Sequence, residues 1–124
     1  MNKIPLHPEG APVADSGYSA GMLAEGQKLI LVSGQGAEDM SADMETQMRQ
    51  AFERIGLILR AAGASFENVV MLRAYFVHFS RDLPVYRKVR KEFLSEPYPA
   101  STAVGVTELA PPGNEIEIEA VAVL

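Results

Sequence analysis

The sequence predicts an α+β domain in which two helices pack on one face of a single mixed β-sheet. Two segments, residues 47–63 and 82–94, carry apolar side chains at the three- and four-residue spacing of a helix. Other segments are short, rich in aliphatic and β-branched residues, and bounded by Gly, Pro or Asn, which is typical of strands. Their order is close to βββαβαββ, and such loose alternation favours this class. At 124 residues the chain can bury one core, so residues 1–124 are expected to form one domain.

The first third of the chain contains the predicted N-terminal strands. Residues 1–15 are rich in Pro and Gly and are expected to form an irregular lead-in. Two strands, Tyr18–Leu23 and Lys28–Ser33, are predicted around a turn. Residues 34–36, Gly-Gln-Gly, lack the glycine spacing and the Lys-Ser/Thr pair of a phosphate-binding loop. We therefore expect a tight loop there and no nucleotide site.

The first helix is predicted from Gln47 to Gly63, with Ser41 as its N-terminal cap. Its buried stripe consists of apolar side chains that recur every three or four residues: Met44, Met48, Phe52, Ile55, Leu59 and Ala62. The second helix is predicted from Asp82 to about Leu94, with Pro84 in its first turn. Its inward stripe is Leu83, Tyr86, Val89 and Phe93, and its outer face is expected to carry Arg87, Lys88, Arg90 and Lys91.

The strand predicted at Val69–Val77 is apolar on both faces, as expected of a central strand. Arg73 interrupts one of these faces. Because an unpaired buried charge is very costly, its guanidinium must reach a carboxylate or water. Two roles remain open from the sequence: a structural or interface arginine, and an anchor for an anion.

The last predicted strand alternates acidic and aliphatic residues after a strand at Ala100–Val106 and a Pro-rich turn. Glu115, Glu117 and Glu119 should project on one side, with Ile116, Ile118 and Ala120 on the other. One interpretation is an edge strand whose acids discourage pairing with other chains. The other is that one acid, Glu117, is a site carboxylate.

Charge and composition exclude several functions. The net charge of −5 argues against a nucleic-acid groove, which needs clustered positive charge. No apolar run is long enough to span a membrane, and no secretory signal is visible, so a cytoplasmic protein is expected. The chain has no cysteine and only two histidines, His7 and His78, which are far apart in sequence. No metal site is predicted.

Three segments together resemble the RidA (YjgF) family of small trimeric imine and enamine deaminases. They are Leu31-Val32-Ser33-Gly34-Gln35, the run from Pro99 to Val106, and the acid/aliphatic strand after Glu115. The resemblance covers nearly the whole chain. It departs from the family at one position: the usual Pro-Ala-Arg-Ser is Pro-Ala-Ser-Thr here, so Ser101 stands where an arginine would bind a substrate carboxylate.

The resemblance implies a chorismate-mutase-like fold that trimerises through its sheet face, with a cofactor-free site between subunits. Glu117 would activate the water that attacks an imine carbon, and Tyr18 would close the pocket. Backbone groups at Ser33-Gly34 and the pair Ser101-Thr102 would hold the substrate.

On the second helix, the position that lines a neighbouring subunit's site falls on Arg87 or, with a shifted alignment, on Tyr86. Arg87 could replace the charge lost at Ser101. The sequence leaves two functions: a deaminase with an altered small-molecule substrate, and a non-catalytic homotrimer that binds a metabolite or regulates a partner. An RNA-cleaving activity is disfavoured by the acidic charge.

Overall fold

The computed structural model describes residues 1–11 and 17–124, and its elements follow the order βββαβαββ. The strands are β1 (Asn2–Leu6), β2 (Gly21–Glu25), β3 (Leu29–Gln35), β4 (Val69–Phe76), β5 (Ala100–Gly105) and β6 (Ile116–Val123). The helices are α1 (Met44–Ala61) and α2 (Phe79–Phe93), and a 3-10 turn at Phe66–Asn68 precedes β4. Within the described ranges, neither helix is long and apolar enough to cross a membrane.

The predicted mixed sheet with two helices is confirmed. Its strand order is β3-β6-β4-β5, in which β4 and β5 are parallel and the other pairs are antiparallel. Helix α2 is the crossover that a parallel pair requires. The core lies between the helices and one face of the sheet. Its largest fully buried side chains include Phe52, Ile55, Leu59, Leu72, Phe76, Tyr86, Ile116 and Ile118.

The irregular lead-in predicted for residues 1–15 is wrong at its start. β1 pairs antiparallel with β2 to form a separate two-stranded sheet, in which Ile4 lies opposite Leu23. Pro5 concealed this strand in the sequence, but a proline is tolerated where a strand's N–H group faces no partner. Residues 12–15 of the predicted lead-in lie outside the described residues.

Both helices begin earlier than the sequence pattern predicts. Asp43 caps α1 by accepting a hydrogen bond from the Thr46 backbone N–H at 2.8 Å, while the predicted cap Ser41 donates its hydroxyl to Asp39 instead. Helix α2 starts at Phe79, so Pro84 lies inside it rather than in its first turn. The helix still forms because it packs on the sheet, which outweighs the single hydrogen bond that a proline removes.

Aromatic packing fixes the rotation of α2. The Phe52 ring of α1 stacks on Phe93 and Tyr86, with centroid distances of 5.0 and 6.1 Å, and Phe76 of β4 meets Tyr86 edge-on at 5.5 Å. Tyr86 is fully buried by these contacts. The next residue, Arg87, therefore points away from the core and is exposed.

β6 is an inner strand, flanked by β3 and β4, so the edge-strand interpretation of its acids is wrong. The predicted alternation is confirmed: Ile116 and Ile118 are fully buried, while Glu117 and Glu119 are partly exposed on the open face. Strict alternation along β4 would place Val69 on the same face as Met71 and Arg73, but a register shift between Val69 and Met71 turns Val69 into the core.

The capping contact at Asp43 can be tested against the predicted cap. Asp43→Ala should lower the thermal unfolding temperature, because it leaves helical N–H groups without an acceptor, whereas Ser41→Ala should change it little. The bonds from Thr46 hold the pKa of Asp43 below its ordinary value. This contribution to stability is present at neutral pH and is lost as the pH falls below the ordinary aspartate pKa of about 3.9. Equal effects of the two alanine variants would contradict the assignment.

Candidate functional site

The carboxylate of Glu119 is bound by two side chains of β4. Arg73 Nη1 lies 3.3 Å from Glu119 Oε1, and the Tyr75 hydroxyl donates to the same oxygen at 2.7 Å. The hydrogen bond to Glu119 raises the pKa of Tyr75, with burial as a smaller cause. Arg73 therefore reaches a carboxylate within its own chain, as the cost of an unpaired charge predicts.

Glu115, which precedes β6, also has side-chain partners. Arg81 Nη2 reaches Glu115 Oε1 at 3.1 Å, and His78 Nε2 lies 3.0 Å from Glu115 Oε2. Glu117 differs from both acids: within residues 1–11 and 17–124, its carboxylate has no hydrogen-bond or ion-pair partner. Of the three acids that the sequence pattern placed on one side, Glu117 alone is available to a ligand.

The backbone of Gly34 makes room for the Glu117 side chain. A Cβ atom added at Gly34 would overlap the Cγ and carboxylate atoms of Glu117. Both residues line a cavity of about 450 Å³, called the carboxylate pocket below. Its other walls are residues 35–40, Arg54, Ala110, Pro111 and Asn114.

Three further predicted residues meet at a second cavity of about 240 Å³, called the arginine pocket. They are Tyr18, Arg87 and Ser101, and the other lining residues are Phe79, Leu83, Arg90 and Ala103. Of the two α2 candidates, Arg87 lines this cavity, whereas Tyr86 is buried in the core.

Ser33 and Thr102 line neither cavity. Ser33 is exposed, and its carbonyl accepts a hydrogen bond from the Gln35 side-chain amide at 3.0 Å. Thr102 lies opposite Arg73 in the β4–β5 ladder, on the open face of the sheet, so it points away from Ser101. Adjacent strand residues face opposite sides, and the predicted Ser101-Thr102 pair is therefore split.

Arg90 is the site residue that sequence reasoning missed, and its predicted place on the outer face of the helix is wrong. It is only 4% exposed, and its guanidinium carbon lies 5.0 Å from the Tyr86 ring centroid and 5.7 Å from that of Tyr18. The signal was present in the spacing: position 90 is four residues after Tyr86 and three before Phe93, on the same helical face.

One chain does not bring the two cavities together. The carboxylate pocket involves β3 and β6, whereas the arginine pocket lies between α2 and β5. β3 and β5 are the two opposite edges of the sheet. Among the described residues, no group of three or more His, Asp or Glu side chains is arranged to hold a metal ion.

A family model described as Endoribonuclease L-PSP, which is the RidA/YjgF family, matches residues 8–124. The chain belongs to this family. The sequence is 34% identical to the human 2-iminobutanoate/2-iminopropanoate deaminase over 119 residues, covering 91% of this chain and 84% of that protein.

Solved structures of RidA-family proteins share the fold over the full chain. A Yersinia pestis Rid-family protein of unknown function has a TM-score of 0.88 at 29% identity, covering 100% of both chains. A RidA from the Antarctic bacterium Psychrobacter has a TM-score of 0.73 at 32% identity, covering 98% of this chain and 99% of that one. The resemblance inferred from the three sequence segments is confirmed.

The close approach of Gly34 to Glu117 gives a structural test. Gly34→Ala should keep the fold but displace the Glu117 carboxylate, because the flexible end of that side chain moves more easily than the backbone of β3. A crystal structure of the variant measures the displacement. Gly21→Ala is the matched control, since its added Cβ would meet Leu6 at an ordinary 3.4 Å. An unmoved Glu117 in Gly34→Ala would contradict the described packing.

Proposed function

We propose that this protein is a cofactor-independent deaminase that hydrolyses the C=N bond of a small imine, or of an enamine through its imine tautomer, in a cleft between subunits of a homotrimer. The observation that carries the proposal is the Glu117 carboxylate. It lies over Gly34 in an open cavity, while the neighbouring acids are engaged by arginines. Relatives named as 2-imino acid deaminases support the reaction type.

The reaction needs a positioned water and a group that moves protons. Glu117 accepts a proton as water adds to the imine carbon, which gives a carbinolamine. The nitrogen then takes up a proton, the C–N bond breaks, and ammonia leaves as the C=O bond forms. Imine and water are converted to carbonyl compound and ammonia. The Tyr18 hydroxyl, in the arginine pocket, is the proposed second polar group of the assembled site.

The homotrimer is proposed because the open face of the sheet carries exposed aliphatic side chains beside its charged ones. Leu29 and Leu31 on β3 are 65% and 70% exposed, and Val104 on β5 is 39% exposed. Leu29 and Leu31 are neighbours on one face of β3, and adjacent exposed apolar side chains of this kind are typical of an interaction surface. A closed ring repeats one heterologous contact, which can set the β3–β6 side of one subunit against the β5–α2 side of the next. That contact would join a carboxylate pocket to an arginine pocket.

The substrate is proposed to differ from that of typical members, because Ser101 supplies one hydroxyl where the family has a charged, bidentate donor. Arg87 is exposed at the mouth of the arginine pocket and is the replacement cation that the sequence suggested.

A non-catalytic, ligand-binding homotrimer is the alternative if no imine is turned over. A cytoplasmic location is likewise a proposal, and cell fractionation tests it, since a fission-yeast relative is named as mitochondrial.

Removal of the proposed base tests the reaction. Glu117→Gln keeps the shape of the side chain but cannot accept the proton, so kcat for imine hydrolysis should fall about 10²- to 10⁴-fold with the fold intact. Ammonia release is measured on the imine that wild type hydrolyses fastest in a substrate screen, with each imine generated in situ by oxidation of the corresponding amine or amino acid. The matched control is Glu115→Gln, whose carboxylate binds Arg81 and His78. Equal rates for Glu117→Gln and wild type would refute the assignment of the base.

A mixing experiment tests whether the site is shared between subunits. Glu117→Gln disables the carboxylate pocket, and Arg87→Glu reverses the charge at the arginine pocket. Each variant alone should be nearly inactive. After equal amounts of the two variants are unfolded and refolded together, about a quarter of wild-type activity should return. Each interface takes its two subunits at random, so about one interface in four pairs an intact Glu117 with an intact Arg87. A site within one chain would recover none.

Sedimentation equilibrium of wild type at micromolar concentration checks the trimer directly, and a stable monomer would exclude it.

A further inference from the structure

Gly34 and Gly36 each leave a space that a polar side chain from the last part of the chain occupies. A Cβ added at Gly34 would overlap the Glu117 side chain, and one added at Gly36 would lie 3.1 Å from both polar atoms of the Asn114 amide. Neither glycine has a positive φ, so the backbone conformation does not require glycine at these positions. Two residues of extended chain span at most about 7 Å, which keeps the carboxylate and the amide close to each other in the carboxylate pocket.

The Asn114 amide is hydrogen-bonded at only one of its two polar atoms. The residue is 5% exposed, and its Nδ2 group donates to the Ala110 carbonyl at 3.1 Å. Its Oδ1 atom is buried and accepts no hydrogen bond from any described residue. An acceptor that is buried without a donor destabilises the fold, and an aliphatic side chain would avoid that penalty. Because Asn114 lines the carboxylate pocket, a ligand with N–H donors would supply the missing partner.

The cavity beside this amide is acidic. Among the described residues that line it, Glu38, Asp39 and Glu117 carry carboxylates, whereas Arg54 alone carries a cationic group. The Arg54 guanidinium donates to two backbone carbonyls of the loop after β3, at 3.2 and 3.3 Å. Three negative charges facing one positive charge give the cavity a negative potential, which favours a cationic ligand.

Asp39 is held in place as an anion by the turn that follows it. Its Oδ1 atom accepts hydrogen bonds from the Ser41 backbone N–H at 2.9 Å and from the Ser41 hydroxyl at 2.6 Å. These bonds hold the pKa of Asp39 below its ordinary value. The Asp39 backbone N–H donates to Gln50 Oε1 at 2.9 Å, which ties this turn to α1. In the part of the chain that the structure describes, Asp39 Oδ2 and the Glu38 carboxylate have no partner, so both can accept from a ligand.

We propose that Asn114, Glu38 and Asp39 form an ammonium subsite beside Glu117, and that the imine hydrolysed by this protein carries a second, cationic nitrogen. The C=N carbon lies at Glu117, and the ammonium group donates to Asn114 Oδ1 and to the two acids. A chain of about three carbon atoms between the two nitrogens fits the spacing of the two side chains. The substrate class is a short amino-imine, the mono-imine of a diamine. Only this choice of substrate rests on the proposed function, because binding of ammonium groups needs no turnover.

Calorimetric titration at pH 7 with 1,3-diaminopropane, which cannot be hydrolysed, tests the subsite. Wild type should bind this dication about tenfold more tightly than propylamine, which has one ammonium group. Glu38→Gln/Asp39→Asn removes two charges but keeps an acceptor for Ser41, and it should raise the Kd for the diamine about tenfold. The matched control, Glu9→Gln/Glu108→Gln, removes two exposed acids that do not line the cavity and should leave the Kd nearly unchanged.

Asn114→Leu tests the amide separately. The variant keeps a similar volume but removes the acceptor, so the Kd for 1,3-diaminopropane should rise about three- to tenfold. A role of Asn114 in the turn alone would lower the thermal unfolding temperature and leave the Kd unchanged, which would refute its place in the subsite. If Asn114→Leu fails to fold, the comparison of the two double variants decides, because all four of their acids are exposed.

Three results would overturn the proposal: no binding of the diamine at millimolar concentration, equal Kd values for diamine and propylamine, or equal increases of Kd in the two double variants. Diamine binding that needs Glu38 and Asp39, without hydrolysis of any imine, would keep the subsite and refute the deaminase. Equal kcat/KM for the imine of propylamine and the mono-imine of 1,3-diaminopropane would keep the deaminase and refute the subsite.

Discussion

The pairing of β6 on both sides is the constraint on which the rest of the structure depends. An inner strand must bury one row of side chains against the helices and place the other row on the open face. Here the buried row is aliphatic and the open row carries Glu117 and Glu119. The two carboxylates are close enough to repel each other, and their neighbours differ. Arg73 and Tyr75 bind Glu119, whereas the Glu117 side chain lies against the backbone of Gly34. The chemistry proposed for the protein follows from this difference between the surroundings of Glu117 and Glu119.

A second consequence of the architecture is that the candidate site is divided. Phe52 stacks against α2 and turns Tyr86 inward, which leaves Arg87 exposed and holds Arg90 between core and surface. These arginines lie beside β5, at the opposite edge of the sheet from β3. The carboxylate pocket is also lined by Arg54, which donates to the Gly36 and Ala37 carbonyls, but within one chain Glu117 and the α2 arginines face different cavities. Assembly of subunits is thus the simplest way in which this chain could bring the two together.

The sequence predicts the parts of this fold that depend on local periodicity. The stripe of α1 and the alternation of β6 are confirmed, because a helix repeats every 3.6 residues and a strand every two. β1 was missed, since its pairing with β2 outweighs the low strand propensity of Pro5. The inward turn of Val69 arises from a register shift that no local pattern encodes. Arg90 was misplaced because charge was taken as evidence of exposure, whereas two aromatic rings make a buried guanidinium tolerable.

The topology also predicts an order in which the two pockets form during folding. α2 and β5, which form most of the arginine pocket, belong with β4 to one continuous β-α-β unit, so few long loops must close to assemble it. Gly34 and Glu117 are 83 positions apart in the sequence, and their approach requires β6 to insert between β3 and β4. Contacts between distant segments form slowly because of the entropy of loop closure. The cost of loop closure therefore predicts that the arginine pocket forms before the carboxylate pocket, which is complete only when β6 has inserted between β3 and β4.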